Sequence, residues 1–287
     1  MTGASNPCPG TPHSNPRVSG KGGMKREDKP CKPLKCIEST LKAVLSRHLE
    51  WLRLEQAARD PVYLAAALPL AILDAARAAL GVINSGARKH GGNGVESSGC
   101  AGLKLAGNHF MCLKRLKREG LTPHRFVEET IKDILGGEPG LLEWAGAALA
   151  RLEVRLEPPR RRGKNSGELS RIGKFRVRLR VATGNGVVDS TLEGEALGSG
   201  LDPDGVAETS AIAGLAGQAS RRARAAGSAV VDLKRGRRRP PIAGLKRAVL
   251  AVKMDPPPSR SQGGVSEANS ELLEATPHYI INVGAGG

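Results

Sequence analysis

Apolar residues recur along this chain with two different periods, and the change of period divides it. From about residue 34 to 137 the spacing is helical. Leu41, Val44, Leu45, His48 and Leu52 fall on one face with charges between them, which predicts a first helix. His48 lies by the apolar stripe and reads as a tucked core histidine. A second helix is expected over roughly 62–83. Its apolar run, Val62 to Leu73, contains Pro69 and is soon followed by Asp74 and Arg77, too short a run to span a bilayer. It therefore reads as a buried bundle helix. The Gly-rich stretch 84–102 is expected to be a long loop. Two further helices are expected over 108–119 and 123–135, with Thr122 as N-cap, Pro123 at the first helical position and Gly136-Gly137 as the stop. The first of these is basic (Lys114, Arg115, Lys117, Arg118), while the second carries Glu128, Glu129 and Asp133. Acids beside phosphates are repulsive, so the pair reads as a helical hairpin rather than a helix-turn-helix.

Beyond residue 138 the period falls to two. Leu141 to Ala150 still reads as helical. Leu152, Val154 and Leu156 then alternate with charges, and KFRVRLRV, residues 174–181, does so without a break. Val188, Ser190, Leu192, Gly194 and Ala196 mark one face of a third strand. A helix is expected over 204–226, followed by a short strand over 228–233. Asn185-Gly186 is a preferred pair for a two-residue hairpin turn. It sets Arg178 opposite Glu193, Arg176 opposite Glu195 and Arg180 opposite Thr191, with Glu153 and Glu157 on the charged side of the first strand. The strand arginines are thus expected to be partnered by carboxylates.

The expected fold class is α+β: an N-terminal helical domain, then a small three-stranded antiparallel sheet packed with helices, with flexible basic tails. The expected divisions are 1–30, a Pro/Gly/Ser-rich disordered tail; 31–137, the helical domain; 138–235, helix-strand-strand-strand-helix; and 236–287, basic, Pro/Gly-rich and largely flexible. Met24, before a charged run, is an alternative start.

Charge then changes the picture. The 287 residues carry 44 Lys+Arg against 28 Asp+Glu, a net +16. Residues 160–180 hold nine basic groups and one acid, and residues 221–247 hold ten and one, so the rest is nearly neutral. With the strand arginines set aside, the unpartnered cations form two clusters. One is Arg160, Arg161, Arg162 and Lys164. The other is Arg221, Arg222 and Arg224 together with Lys234, Arg235, Arg237, Arg238 and Arg239. Guanidinium groups on Gly-containing segments suit phosphates, because counterion release rewards them whatever the base sequence. Aromatic residues make up only 2%, which argues against modules that stack bases on rings.

Five cysteines (Cys8, Cys31, Cys36, Cys100, Cys112) form an odd, sparse set, and the N-terminus has no hydrophobic export segment, so a cytoplasmic, reducing location is expected. His90, Cys100, His109 and Cys112 fall close together, yet their spacings match no compact zinc knuckle. No metal or cofactor is expected, and the cysteines read as buried or incidental.

The order helix, three strands, helix over 140–226 resembles the double-stranded RNA-binding domain. Gly198-Ser199-Gly200 before Val206-Ala207-Glu208-Thr209-Ser210-Ala211-Ile212-Ala213 is similar to that family's glycine turn and alanine-rich helix. The resemblance implies that RNA meets the loop Arg160 to Lys164 and the start of the last helix. The family's lysine-rich clamp at that start is replaced here by Asp202-Pro203-Asp204. The same order also resembles ribonuclease H-like folds, which implies metal-binding carboxylates at Glu208 and Asp232 and a fourth strand beside the first. The first-strand acid of that family is missing. The sequence thus points to non-catalytic nucleic-acid binding, structured RNA foremost, with no membrane partner. The alternatives are a degenerate ribonuclease H-like nuclease and a protein-interaction module in a larger assembly, with an acidic protein as a further partner class.

Overall fold

The computed structural model describes residues 31–83, 107–137, 142–159, 171–184, 186–196, 206–234, 245–255 and 280–282. Among these are five α-helices: α1 (Lys32–Leu54), α2 (Pro61–Gly81), α3 (Gly107–Arg118), α4 (Pro123–Gly136) and α5 (Val206–Ala226). The strands are β1 (Ala147–Glu157), β2 (Lys174–Thr183), β3 (Gly186–Ala196), β4 (Ser228–Lys234), β5 (Leu245–Asp255) and β6 (Ile280–Asn282). They form one sheet in the order β1-β2-β3-β5-β4-β6. The first five are antiparallel, and β6 adds to the β4 edge in parallel, Val230 opposite Ile280. The fold is α+β as expected, but the antiparallel sheet has five strands where three were expected.

The additional central strand, β5, comes from the region expected to be a flexible tail. It lies between β3 and β4, with Leu192 opposite Leu250 and Val231 opposite Leu250. Its alternation is present in Ala248, Leu250 and Val252, all buried. The Lys246-Arg247 pair and the preceding Pro240-Pro241 mask it in a composition-based reading. Residues 141–150 also differ from expectation. Only Glu143–Ala145 is helical there, as a 3-10 turn closed by Gly146 at φ 62, and β1 begins at Ala147. Pairing with β2 overrides the helical preference of the alanines. A bulge between Leu149 and Arg151 absorbs Ala150.

The β2–β3 register also differs from expectation. Thr183 pairs with Gly186, so each β2 residue meets a partner two positions earlier than the Asn185-Gly186 turn sets. Thr183 Oγ1 donates to the Gly186 carbonyl at 3.0 Å, and Gly186 takes a φ of 135° that favours glycine. Side chains alternate with period two, so this shift changes partners but keeps faces. Phe175, Val177, Leu179 and Val181 remain buried, and the strand arginines remain outside.

Against the apolar face lies α2, which contacts β2, β3 and β5. Flanking it, α4 covers β1 and α5 covers β4 and β5, while α1 lies over α2 and α4. With neighbours on every side, α2 is almost entirely apolar, Asp74 and Arg77 being its only charged residues. It is long and apolar enough to cross a membrane, yet 94% of that window is buried in this core. His48 is buried as expected and shares a 2.9 Å hydrogen bond with Asp74 of α2. One continuous core joins Leu41 and Leu68 of the helices to Val177, Leu192 and Leu250 of the sheet. The expected division at 137/138 therefore falls inside a shared core, and the compact unit begins at Cys31. The expected tail 1–30 lies outside the described residues. Two cysteines expected to be incidental are joined: Cys31, before α1, is disulfide-bonded to Cys112 of α3.

Candidate nucleic-acid interface

The sheet face turned away from the helices is a grid of charges. Its rows follow from the register. Glu157, Lys174, Glu195 and Arg247 lie side by side across β1, β2, β3 and β5. The next row is Arg155, Arg176, Glu193 and Val249. Some cations here are engaged by acids. Arg176 bonds Glu193 at 2.9 Å, Lys246 bonds Glu195 at 3.1 Å and Arg155 meets Glu153 at 2.7 Å. Arg180 grips Asp189 through two nitrogens, at 2.8 and 2.7 Å, and that carboxylate raises the guanidinium pKa above its ordinary value. Arg178 faces Thr191, not Glu193 as expected. Among the described residues, Lys174, Arg178 and Arg247 form no ion pair.

A groove of about 720 Å³ opens at one end of this face. Arg155, Lys174, Arg176, Lys246 and Arg247 supply its cations, and Glu157, Glu193 and Glu195 its acids. The floor depends on Gly194. A Cβ there would lie 2.1 Å from the Arg247 carbonyl oxygen and 2.7 Å from the Ala248 Cα, so only glycine lets β5 approach β3 this closely.

The same end is where the chain leaves for both expected basic segments. β1 ends at Glu157 and β2 begins at Lys174, its partner, with Gly173 N–H donating to the Glu157 carbonyl at 2.7 Å. Arg160, Arg161, Arg162 and Lys164 fall in the connection between these strands and lie outside the described residues. Lys234 ends β4 opposite Arg247 of β5. Arg235, Arg237, Arg238 and Arg239 follow it, again outside the described residues. The chain thus departs and returns twice at the groove end, each time through a segment rich in arginine.

Arg221, Arg222 and Arg224 separate from this set. They sit in the last turns of α5, which ends at Ala226 just before β4 begins, so they lie toward the opposite end of the sheet. All three are exposed. Arg224 bonds Asp60 Oδ1 at 2.7 Å, and Ser220 Oγ donates to Asp60 Oδ2 at 2.6 Å. Asp60 also accepts from the Val62 N–H at the start of α2. Arg224 complements the helix C-terminus and clamps α5 to the start of α2. Contiguity in sequence had merged two groups that the topology sends to different ends.

α4 braces the groove end. The Leu156 N–H of edge strand β1 donates to Glu128 Oε1, and His124 Nε2 shares a 2.8 Å hydrogen bond with the Arg171 carbonyl. Burial lowers the His124 pKa below its ordinary 6.5, only partly offset by that carbonyl. Burial likewise raises the Glu128 pKa, against the Leu156 hydrogen bond. A helix occupied in this way is no free recognition helix.

Of the two acids of the nuclease alternative, one belongs to α5 and the other to the sheet face opposite it. Ala229, Val231 and Leu233 of β4 point into the core, so Asp232 between them lies on the opposite face from α5, which carries Glu208. β4 pairs with β5 and β6, not with β1. No group of three potential metal ligands occurs among the described residues. The five-stranded order likewise departs from the three strands that resemblance to the double-stranded RNA-binding domain implies. No family model, curated protein or solved structure matches the chain.

Proposed function

We propose that this protein binds nucleic acid without catalysis, with structured RNA as the partner, through phosphate contacts at the groove end of the sheet. One observation carries the reading: the connections bearing Arg160–Lys164 and Arg235–Arg239 both leave from the strand ends beside Lys174 and Arg247. Rigid cations on strands set the register of a backbone, and arginines in the flanking segments add charge without base specificity. Arg178 belongs to the same face. The near absence of aromatic residues fits recognition by shape and phosphate rather than by base stacking. A cytoplasmic location accompanies this reading.

The test is binding of an RNA hairpin followed by anisotropy over a salt series. Wild-type affinity is expected to fall linearly on logarithmic axes, by about 0.7–0.9 per phosphate contacted. The variant with Arg160, Arg161 and Arg162 changed to alanine lowers that slope by about 2–3, and Lys174→Ala with Arg247→Ala by about 1–2. Unchanged binding in both variants overturns the site. Binding that does not respond to salt overturns the reading and favours a protein partner.

A further inference from the structure

We propose that the Cys31–Cys112 disulfide is a reversible latch, opened by a thiol reductant, that holds basic helix α3 against the start of α1. The bond joins residues 81 apart in sequence with Cα atoms 6.1 Å apart, within the range a disulfide spans. Both cysteines are partly exposed, so a small thiol reaches them; Cys36, itself in disulfide linkage, is only 1% exposed.

Among its described side chains, the helix that the latch restrains buries little. α1 is the main packing partner of α3. From Met111 to Arg118 only Leu113 is buried, at 2%, whereas Met111 is 61% exposed. α4, by contrast, is anchored through Val127, Ile131 and Leu135 in the main core. Losing one covalent bond therefore bears on α3 far more than on any other helix. The helix concerned carries Lys114, Arg115, Lys117 and Arg118, so the state of the bond decides where that charge sits.

Opening is a two-electron reduction. A thiolate of a dithiol or glutathione-type reductant attacks one sulfur, and the other cysteine leaves as a thiolate and takes up a proton. A second thiol then resolves the mixed disulfide, releasing the first cysteine, which is protonated in turn. The reductant ends as its disulfide. Closing runs the same steps backward with an oxidised thiol pair as acceptor.

The experiment is hydrogen exchange on the full chain, oxidised or equilibrated in glutathione buffers, with Cys112→Ser as a non-bonding reference. Bond state is read by alkylation and mass spectrometry. On reduction, amide exchange over 107–118 is expected to quicken at least tenfold, with 61–81 and 186–196 unchanged, and Cys112→Ser matches the reduced protein under oxidising conditions. Unchanged exchange in α3 overturns the latch. So does loosening of α2 and β3 together with α3, which makes the bond a support of the whole fold. A bond that persists in the most reducing glutathione buffer overturns reversibility. Retention of α3 protection by zinc in the reduced protein replaces the latch with a metal site.

Discussion

The two ends of the sheet both carry arginines, and the groove end leaves more of its cations without an acid partner on the strands. At the hairpin end, Arg180 is held by both oxygens of Asp189 and Arg224 by Asp60, so these two cations join strands and helices. At the groove end, Lys174 and Arg247 lie beside Glu195 without forming an ion pair among the described residues, although Lys246 holds that acid. Exposed ion pairs contribute only about 0–1 kcal/mol each, so the difference is less one of stability than of availability. A net charge of +16 says how much cation the chain carries; the position of each carboxylate says how much is left for a ligand.

Three perturbations break or sharpen this contrast. Gly194→Ala is the most severe, because the new Cβ meets β5 backbone and the strand carrying Arg247 has to move. A loss of about 2–4 kcal/mol in unfolding free energy is expected, measured by denaturant titration, with RNA affinity falling alongside. Asp60→Ala strikes the other end. It removes the α2 cap together with the Ser220 and Arg224 contacts, which costs about 1–3 kcal/mol. RNA affinity of the folded protein should stay at the wild-type value. If affinity rises because Arg224 is released, the two ends are not separate in function.

The smallest effect is in pH. His124 is held neutral by burial, so its contribution to stability is complete above 6.5 and is lost as pH falls through its lowered folded value. Glu128 acts oppositely: its raised pKa favours the folded state below 4.5, and that advantage fades as pH rises through the folded value. The difference between wild type and His124→Gln isolates the histidine. Wild-type stability should drop more than the variant's on going from pH 7 toward pH 5, read from thermal unfolding. Equal drops would show that the brace at Arg171 does not depend on a neutral imidazole.

Much of the layout was legible in local pattern. Thr122 and Pro123 set the start of α4, with the Arg125 N–H bonded to Thr122 Oγ1. The alternation of Phe175 to Val181 assigned the two faces of β2 despite a displaced turn. What escaped depended on distant partners. Ala147 to Ala150 form a strand only because β2 lies beside them, and nothing near Leu245 announces a seat between β3 and β4. The site was half legible for the same reason. Runs of arginine are visible in sequence, but Asp60 lies 164 residues from Arg224 and no local rule joins them. Lys174 and Arg247 were passed over, one assigned to a partnered strand and the other to a tail.

The position of β5 bears on how the chain reaches its folded state during synthesis. Its strand is made after both β3 and β4, yet it sits between them. Until residue 255 has left the ribosome, β3 and β4 each present an unpaired edge, and the apolar surface of α2 has an incomplete floor. Unpaired strand edges and uncovered apolar surface are the features that recruit chaperones and seed aggregation. A premature stop between residues 235 and 245 would therefore yield insoluble or rapidly degraded chain, not a shortened protein that keeps its fold.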